Sequence, residues 1–335
     1  MRIVIDGFGG DNAPDEVIRG AVAASREYNV EVIITGDEKV LESRVKALQS
    51  ETGVGNLSIV NADGVIQVED NPLEIRKSKK NSSMGVAFDL VKTEKADAIV
   101  SAGSTAALMV GGSMVIGRIK GIKRPALSPI MPSINGKYIL ADGGANLECR
   151  PEVLLQFGIM GSIYINKVMG VEKPRVGLLN IGTEEEKGRE LEQQAYALFK
   201  STSQMPNAKL NFVGNVEARE VPLGGCDVIV TDGFTGNIYL KTVEGMGGFM
   251  KSTLKQLFGK NALTKAGYLF AKSGVADFTK KTDYRETGGS PLLGTAKPVI
   301  KAHGSSDAKA FKNAIRQAKE FVESNAIKEI ERQLV

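Results

Sequence analysis

IVIDGFGGDNAPDEVIRGAVAASREYNVEVIITGD, residues 3–37, switches between the two periodicities that define an α/β fold. Its apolar runs at 3–6 and 31–37 read as strands. Between them, PDEVIRGAVAASREY (14–28) opens with a proline and two acids, which suits a helix N-terminus, and Val17, Ala21 and Ala24 recur at helical spacing. Working outward, six more apolar runs follow at 57–63, 98–105, 138–146, 176–188, 210–217 and 228–237. Each of the eight ends in a cluster of Gly, Asp, Asn or Ser. Helix-like segments fill the gaps at 39–51, 84–95, 151–168 and 189–201, and 306–334 closes the chain, with Ser305 or Ser306 as its expected N-cap. Such alternation predicts a mostly parallel sheet covered by helices on both faces, hence an α/β fold in three α/β/α layers. No clean linker divides residues 1–335, so one large unit is expected.

Parallel sheets bind ligands just beyond the carboxyl ends of their strands. Glycine there permits close backbone approach, and backbone N–H groups hold anions. Eight such ends predict one large site for something anionic. The net charge of +4 is mild and argues against a nucleic-acid partner. Cys149 and Cys226 form no CxxC pair, which fits a reducing compartment. The chain enters a strand at once, so secretion is not expected, and no stretch reaches the roughly 18 apolar residues of a spanning helix.

Two regions depart from the alternation. TAALMVGGSMVIGRIKG (105–121) has the small residues of a tightly packed helix, suited either to the core or to a second subunit. Residues 246–288 form a basic amphipathic segment with no acid between 246 and 276. Met250, Leu254, Leu257 and Phe258 make one apolar face, and Lys251, Lys255, Lys260, Lys265 and Lys272 lie between apolar positions. Tyr268, Leu269 and Phe270 suggest a protruding apolar tip. Such helices lie on anionic membranes or bind acidic partners, although a plain surface helix packed on the core has the same pattern.

The usual owners of an anion site are missing. DGFGGDNAP (6–14) is not GxGxxG, no GxxxxGK[ST] occurs, and no short-spaced His/Cys/Asp set signals a metal. The only histidine, His303, has no GxSxG serine to serve. The better candidates are anion loops. SAGSTAA (101–107) offers Ser101, Gly103, Ser104 and Thr105 for phosphate. The 142–146 loop adds Asp142, Gly143, Gly144 and Asn146, and TDGFTGN (231–237) adds Asp232 and Asn237. NIGTEEEKG (180–188) holds Lys187 between glycines, where it can reach into a cleft.

Several long motifs in one order resemble the bacterial phosphate acyltransferase family of phospholipid synthesis. They are GGDNAP (9–14), SAGSTAA, RPAL (124–127), the Asp142–Asn146 loop followed by RPEVLLQFGIMG, VGLLNIGTEEEKG (176–188), FVGNVEAR (212–219), DVIVTDGFTGN (227–237), GGSPLLG (288–294) and AHGSS (302–306). The chain departs from the family's usual pattern at Asp6-Gly7-Phe8 and at Ser104 and Ala106. The resemblance implies a fold akin to isocitrate and isopropylmalate dehydrogenases, usually homodimeric, with no nicotinamide cofactor and no essential metal. It implies fatty acyl transfer from acyl carrier protein to inorganic phosphate, with a glycerol-3-phosphate acyltransferase downstream. It also implies a cytoplasmic protein peripherally associated with the inner face of the cell membrane, through the 249–281 segment with Leu254, Leu257, Phe258, Lys255 and Lys265.

Phosphate can attack a thioester directly, so no enzyme nucleophile is required. The protein must hold phosphate beside the carbonyl and stabilise the oxyanion. Lys187 and Asn237 are the expected catalytic pair, with His303 as a helper at the phosphate. RKSKK (76–80), Lys120, Lys123 and Arg124 are candidate docking cations for an acidic carrier. A coenzyme A-dependent acetyl- or butyryltransferase, a decarboxylating dehydrogenase and a non-catalytic carrier-binding scaffold remain as alternatives.

Overall fold

The computed structural model describes residues 1–53, 55–206 and 208–334. All eight expected strands form: β1 (Arg2–Asp6), β2 (Glu31–Gly36), β3 (Leu57–Asn61), β4 (Ala98–Ser101), β7 (Gly136–Ala141), β8 (Arg175–Asn180), β9 (Asn211–Glu217) and β10 (Val228–Val230). Four more escaped the sequence reading: β5 (Ala126–Leu127), β6 (Ile130–Ser133), β11 (Gly289–Leu293) and β12 (Val299–Ala302).

The strands make two sheets rather than one. The larger has the order β3-β2-β1-β4-β12-β11-β5 and the smaller β6-β7-β10-β8-β9. Pairing is parallel except where β11 meets β12 and β5, and where β6 meets β7. β12 runs parallel to β4 and sets Lys301 opposite Ser101.

Alternation along the strands builds the layers. Ile3 and Ile5 enter the main core with Val17, Ile18 and Ala21 of α1 (Asp15–Tyr28), whereas Val4 faces Met84 and Phe88 of α3 (Ser83–Lys92) on the opposite face. Ile139 and Ala141 of β7 join that same main core with Phe157 and Tyr164 of α5 (Pro151–Met169). Tyr138 and Leu140 turn the other way, into a smaller cluster. Helices thus cover both faces, as expected of a three-layer α/β fold. The layer is completed by α2 (Glu38–Thr52), α4 (Thr105–Gly111) and α6 (Glu190–Ser203).

Several local expectations change. The closing segment is two helices, α9 (Ala308–Glu323) and α10 (Ala326–Leu334), separated at Asn325, whose φ is 55°. Asp307, not Ser305 or Ser306, caps α9 by accepting from Ala310 N–H at 2.9 Å. After α4 the chain widens into π-type helix at Gly112–Ile116. The small residues there serve this chain's own packing, because a Cβ on Gly111 would lie 2.0 Å from the Phe88 ring.

The basic segment grows out of a helix that begins earlier. It continues α7 (Gly233–Gly259), which starts at the end of β10 and extends about 40 Å at the usual helical rise. α8 (Ala262–Thr282) returns beside it and buries no residue. Leu254 and Phe258 are only partly exposed, and Phe258 meets Tyr268 of α8 with ring centroids 5.3 Å apart, but Met250 and Leu257 remain exposed. The apolar face therefore packs in part on the partner helix rather than on the core. Leu263, Leu269 and Phe270 are 82%, 72% and 92% exposed, so the apolar tip does protrude. Among the described residues no helix is long and apolar enough to cross a membrane.

α7 is seated by Gly236, where a Cβ would come within 1.9 Å of the Asp142 carbonyl oxygen. Gly236→Ala should lower unfolding free energy by about 2 kcal/mol or more, because a backbone carbonyl cannot step aside. Gly245→Ala, on the same helix but facing open space, should be stabilising by about 0.5–1 kcal/mol. Denaturant titration of the two variants checks the contrast.

Candidate functional site

The strand ends gather into two groups. At the larger sheet, the loops after β1, β4 and β12 interlock. Asp6 is buried beneath them and accepts from Ser101 Oγ at 2.8 Å, and Ser101 Oγ in turn accepts from Gly103 N–H at 3.0 Å. Gly9 has no room for a side chain, since a Cβ would lie 2.5 Å from Asp6 Oδ2 and 2.7 Å from Gly103 N. Asp11 N–H donates to Gly304 O at 2.8 Å and ties the third loop in. Burial pushes the Asp6 carboxyl above its ordinary range, against hydrogen bonds from Ser101 and Phe8 and the Lys301 charge.

At the smaller sheet, Asp142 is fully buried. Its carboxylate accepts from the backbone N–H groups of Leu127, Gly144, Ala145 and Asn146 and from Asn146 Nδ2, at 2.7–3.2 Å. Gly143 N–H goes to Leu127 O at 2.7 Å. The amides expected to meet phosphate are thus engaged within the fold, and the 142–146 loop works here as a scaffold. Asp232 is likewise occupied: it caps α7 by accepting from Thr235 N–H at 2.7 Å and pairs with Arg189 at 2.7 Å. Ser104, also buried, caps α4 through Ala107 N–H at 3.4 Å.

Exposed polar groups remain for a ligand. Asn237 is exposed on the first turn of α7, and its Nδ2 donates to Gly143 O across a long 3.3 Å. Lys187 is exposed on the loop after β8, which Asn180 Nδ2 holds by bonding Lys187 O at 3.1 Å. Arg189 connects that loop to the cap of α7, since its guanidinium reaches both Glu192 and Asp232. No direct contact joins the Lys187 side chain to Asn237 among the described residues. Thr105 and His303 are exposed at the other group. Lys241 and Glu244 of α7 are near enough to His303 for their charges to bear on it.

The titratable groups carry no poised nucleophile. Burial pushes the Cys149 thiol up to about 12, and its Sγ lies 3.7 Å from Asn146 O. Burial lowers the His303 pKa, so the ring is neutral near pH 7. Its Nδ1 meets Ser305 Oγ at 2.8 Å and its ring lies 5.2 Å from Tyr284, and no carboxylate bonds it among the described residues.

The sequence reading missed Asp6, Arg189 and Lys301. The glycine pattern at 7, 9 and 10 was the available signal for the first. Nothing local marked the other two, whose partners come from distant segments.

A family model described as fatty acid synthesis protein matches residues 1–329. The phosphate acyltransferase of Alkaliphilus oremlandii is 48% identical over 330 residues, which cover 98% of this chain and 96% of that protein. The EutD phosphotransacetylase from Staphylococcus aureus superposes with a TM-score of 0.63 at 19% identity, over 96% of this chain and 94% of that one. A 4-hydroxythreonine-4-phosphate dehydrogenase from Klebsiella pneumoniae gives 0.53 at 13% identity, over 96% and 99%. At these identities both structures show likeness of fold.

Asp142→Asn replaces an acceptor by an amide that turns N–H toward N–H. Unfolding free energy should drop by about 2–3 kcal/mol. Asn237→Ala removes one long bond from an exposed side chain and should stay within about 0.5 kcal/mol of the parent. Equal denaturation midpoints for the parent and Asp142→Asn would refute the scaffold role.

Proposed function

The chain belongs to the phosphate acyltransferase family and is an acyltransferase, and from this we propose that it moves a fatty acyl group from acyl carrier protein to inorganic phosphate, giving acyl-phosphate. The observation that carries the reading is the site's makeup. Cationic and neutral donors, Lys187, Asn237 and Thr105, are exposed, while the neighbouring thiol is held protonated. Such a cleft suits a substrate that brings its own nucleophile.

In this reading phosphate lies against the Ser101–Thr105 loop and attacks the thioester carbonyl. The C–O bond to phosphate forms first and gives a tetrahedral oxyanion, whose collapse breaks the C–S bond and releases the thiolate without a strong general acid. Asn237 and Lys187 stabilise the tetrahedral oxyanion, one by an amide N–H and one by charge. An acidic carrier is steered by exposed Arg76, Lys77, Lys80, Lys120 and Arg124. Lys79 is less available, since it pairs with Asp70 at 3.3 Å.

The hairpin of α7 and α8 supports peripheral membrane contact and a homodimer. Its exposed tip residues exceed what a free surface ordinarily carries, and lysines flank them. The open apolar groove between the helices, lined by Phe249, Met250, Leu254, Val275 and Phe278, is offered to a second copy.

Purified protein mixed with palmitoyl-acyl carrier protein and phosphate should yield acyl-phosphate. Faster turnover of a short coenzyme A thioester would favour an acetyl- or butyryltransferase, and no phosphate-dependent loss of either thioester would leave only a scaffold. Lys187→Ala should slow acyl-phosphate formation about 10²-fold or more, and normal turnover in the folded variant would remove it from the mechanism. Lys255→Glu with Lys265→Glu should release the protein from anionic vesicles and spare turnover in solution. Unchanged co-sedimentation would count against the membrane role.

A further inference from the structure

Among the described residues, the ammonium of Lys301 is drawn inward beneath the loop that follows β4. It lies on β12 in register with Ser101 of β4. Its Nζ donates to Ala102 O at 3.2 Å and to Ala302 O at 2.5 Å. An ammonium has three N–H donors, so one remains. No group takes it among the described residues, and Lys301 is largely but not fully buried, which leaves that N–H for water or a ligand.

The surrounding charge explains why a cation belongs there. Asp6 on β1 is buried directly under the Ser101–Thr105 loop, and Asp11 follows in the next loop. Two carboxylates at this position would repel a phosphate dianion. Lys241 on α7 adds a positive charge but is exposed and paired with Glu244 at 2.8 Å. His303, next along the chain from Ala302, is neutral near pH 7.

We propose that Lys301 is the cation of the phosphate subsite, donating its remaining N–H to the phosphate from beneath the Ser101–Thr105 loop while neutralising Asp6. The assignment rests on the phosphate-transfer reading for its substrate, but not for its test. Burial lowers the Lys301 pKa to about 8, against the Asp6 and Asp11 charges that raise it, with Lys241 adding to the lowering. The ammonium is therefore present below that value and lost as pH rises through it. The free-enzyme kcat/KM for phosphate should fall about tenfold per pH unit above about 8.

The experiment reads phosphate binding in two ways. In thermal unfolding with inorganic phosphate alone, the parent should gain stability at pH 7 and lose the gain by pH 9.5. Lys301→Met should show little gain at either pH. In turnover, Lys301→Met should raise the KM for phosphate about tenfold or more and leave the KM for the thioester within about twofold. Lys301→Arg, which stays charged, should bind phosphate with no alkaline loss, although phosphate itself ionises identically for both enzymes. A purely structural lysine would move both KM values together and leave the pH profile alone. The inference is overturned by an unchanged phosphate KM in folded Lys301→Met, by alkaline loss that persists in Lys301→Arg, or by phosphate stabilisation of the parent that does not weaken between pH 7 and 9.5. Should the parent turn over no thioester, the acyl-transfer reading fails, and the phosphate-induced stabilisation still decides Lys301.

Discussion

One buried carboxylate holds the two sheets in register at the site. Asp142 collects N–H groups from Leu127, on the edge strand of the larger sheet, and from its own loop at the end of β7. A carboxylate taken out of water is strongly unfavourable unless its lone pairs are filled, so these donors must converge for the chain to fold. That convergence fixes the 142–146 loop, which gives Gly236 a flat surface to sit on, and Gly236 in turn sets the start of α7. Asn237 is the next residue, so its place in the cleft follows from an interaction it does not take part in.

The same logic separates residues that shape the cleft from residues free to act in it. Asp142, Asp232, Ser101 and Ser104 are buried, and each is used in capping or bracing. Their hydrogen bonds keep the loops rigid, which is what preorganised transition-state stabilisation requires. Asn237, Lys187, Thr105 and Lys301 keep donors that a ligand can reach. The division tracks burial rather than residue type. An aspartate at a strand end in this fold is a brace, while Lys187 and Asn237, one step further along, stay exposed.

Much of the architecture was legible because it depends on local pattern. The eight expected strands are short apolar runs followed closely by Gly, Asp, Asn or Ser, and β1, β4, β7 and β10, whose cores are buried on both faces, are visible in isolation. β6 and β11 contain Pro132 and Pro291, which obscure strand propensity, and they form because antiparallel neighbours accept them. The division into two sheets was hidden for a related reason, since pairing between β12 and β4 joins residues from opposite ends of the chain. In the site, the glycine-rich loops announced themselves, but the competition for their amides did not. VIKAHG does not read as a strand at all, and nothing in it marks its lysine as turned inward. Its partners are Asp6, Asp11 and Ala102, which no window around residue 301 contains.

The hairpin shows how a solvent-exposed element can still belong to the site. α8 buries nothing, so its position is set by α7 and by its two ends. At its return, Arg285 is held by Asp283 at 2.8 Å and Asp307 at 3.0 Å, which fastens the chain to the cap of α9. Tyr284 lies against the His303 ring and its hydroxyl is 3.4 Å from Ser305 Oγ. The outgoing helix therefore begins beside Asn237 and the returning one ends beside His303, one at each group of strand ends. A helix is stiff along its axis, whereas a loop of the same length would not carry position from end to end. The exposed apolar tip is thereby placed at a set distance from both groups of strand ends.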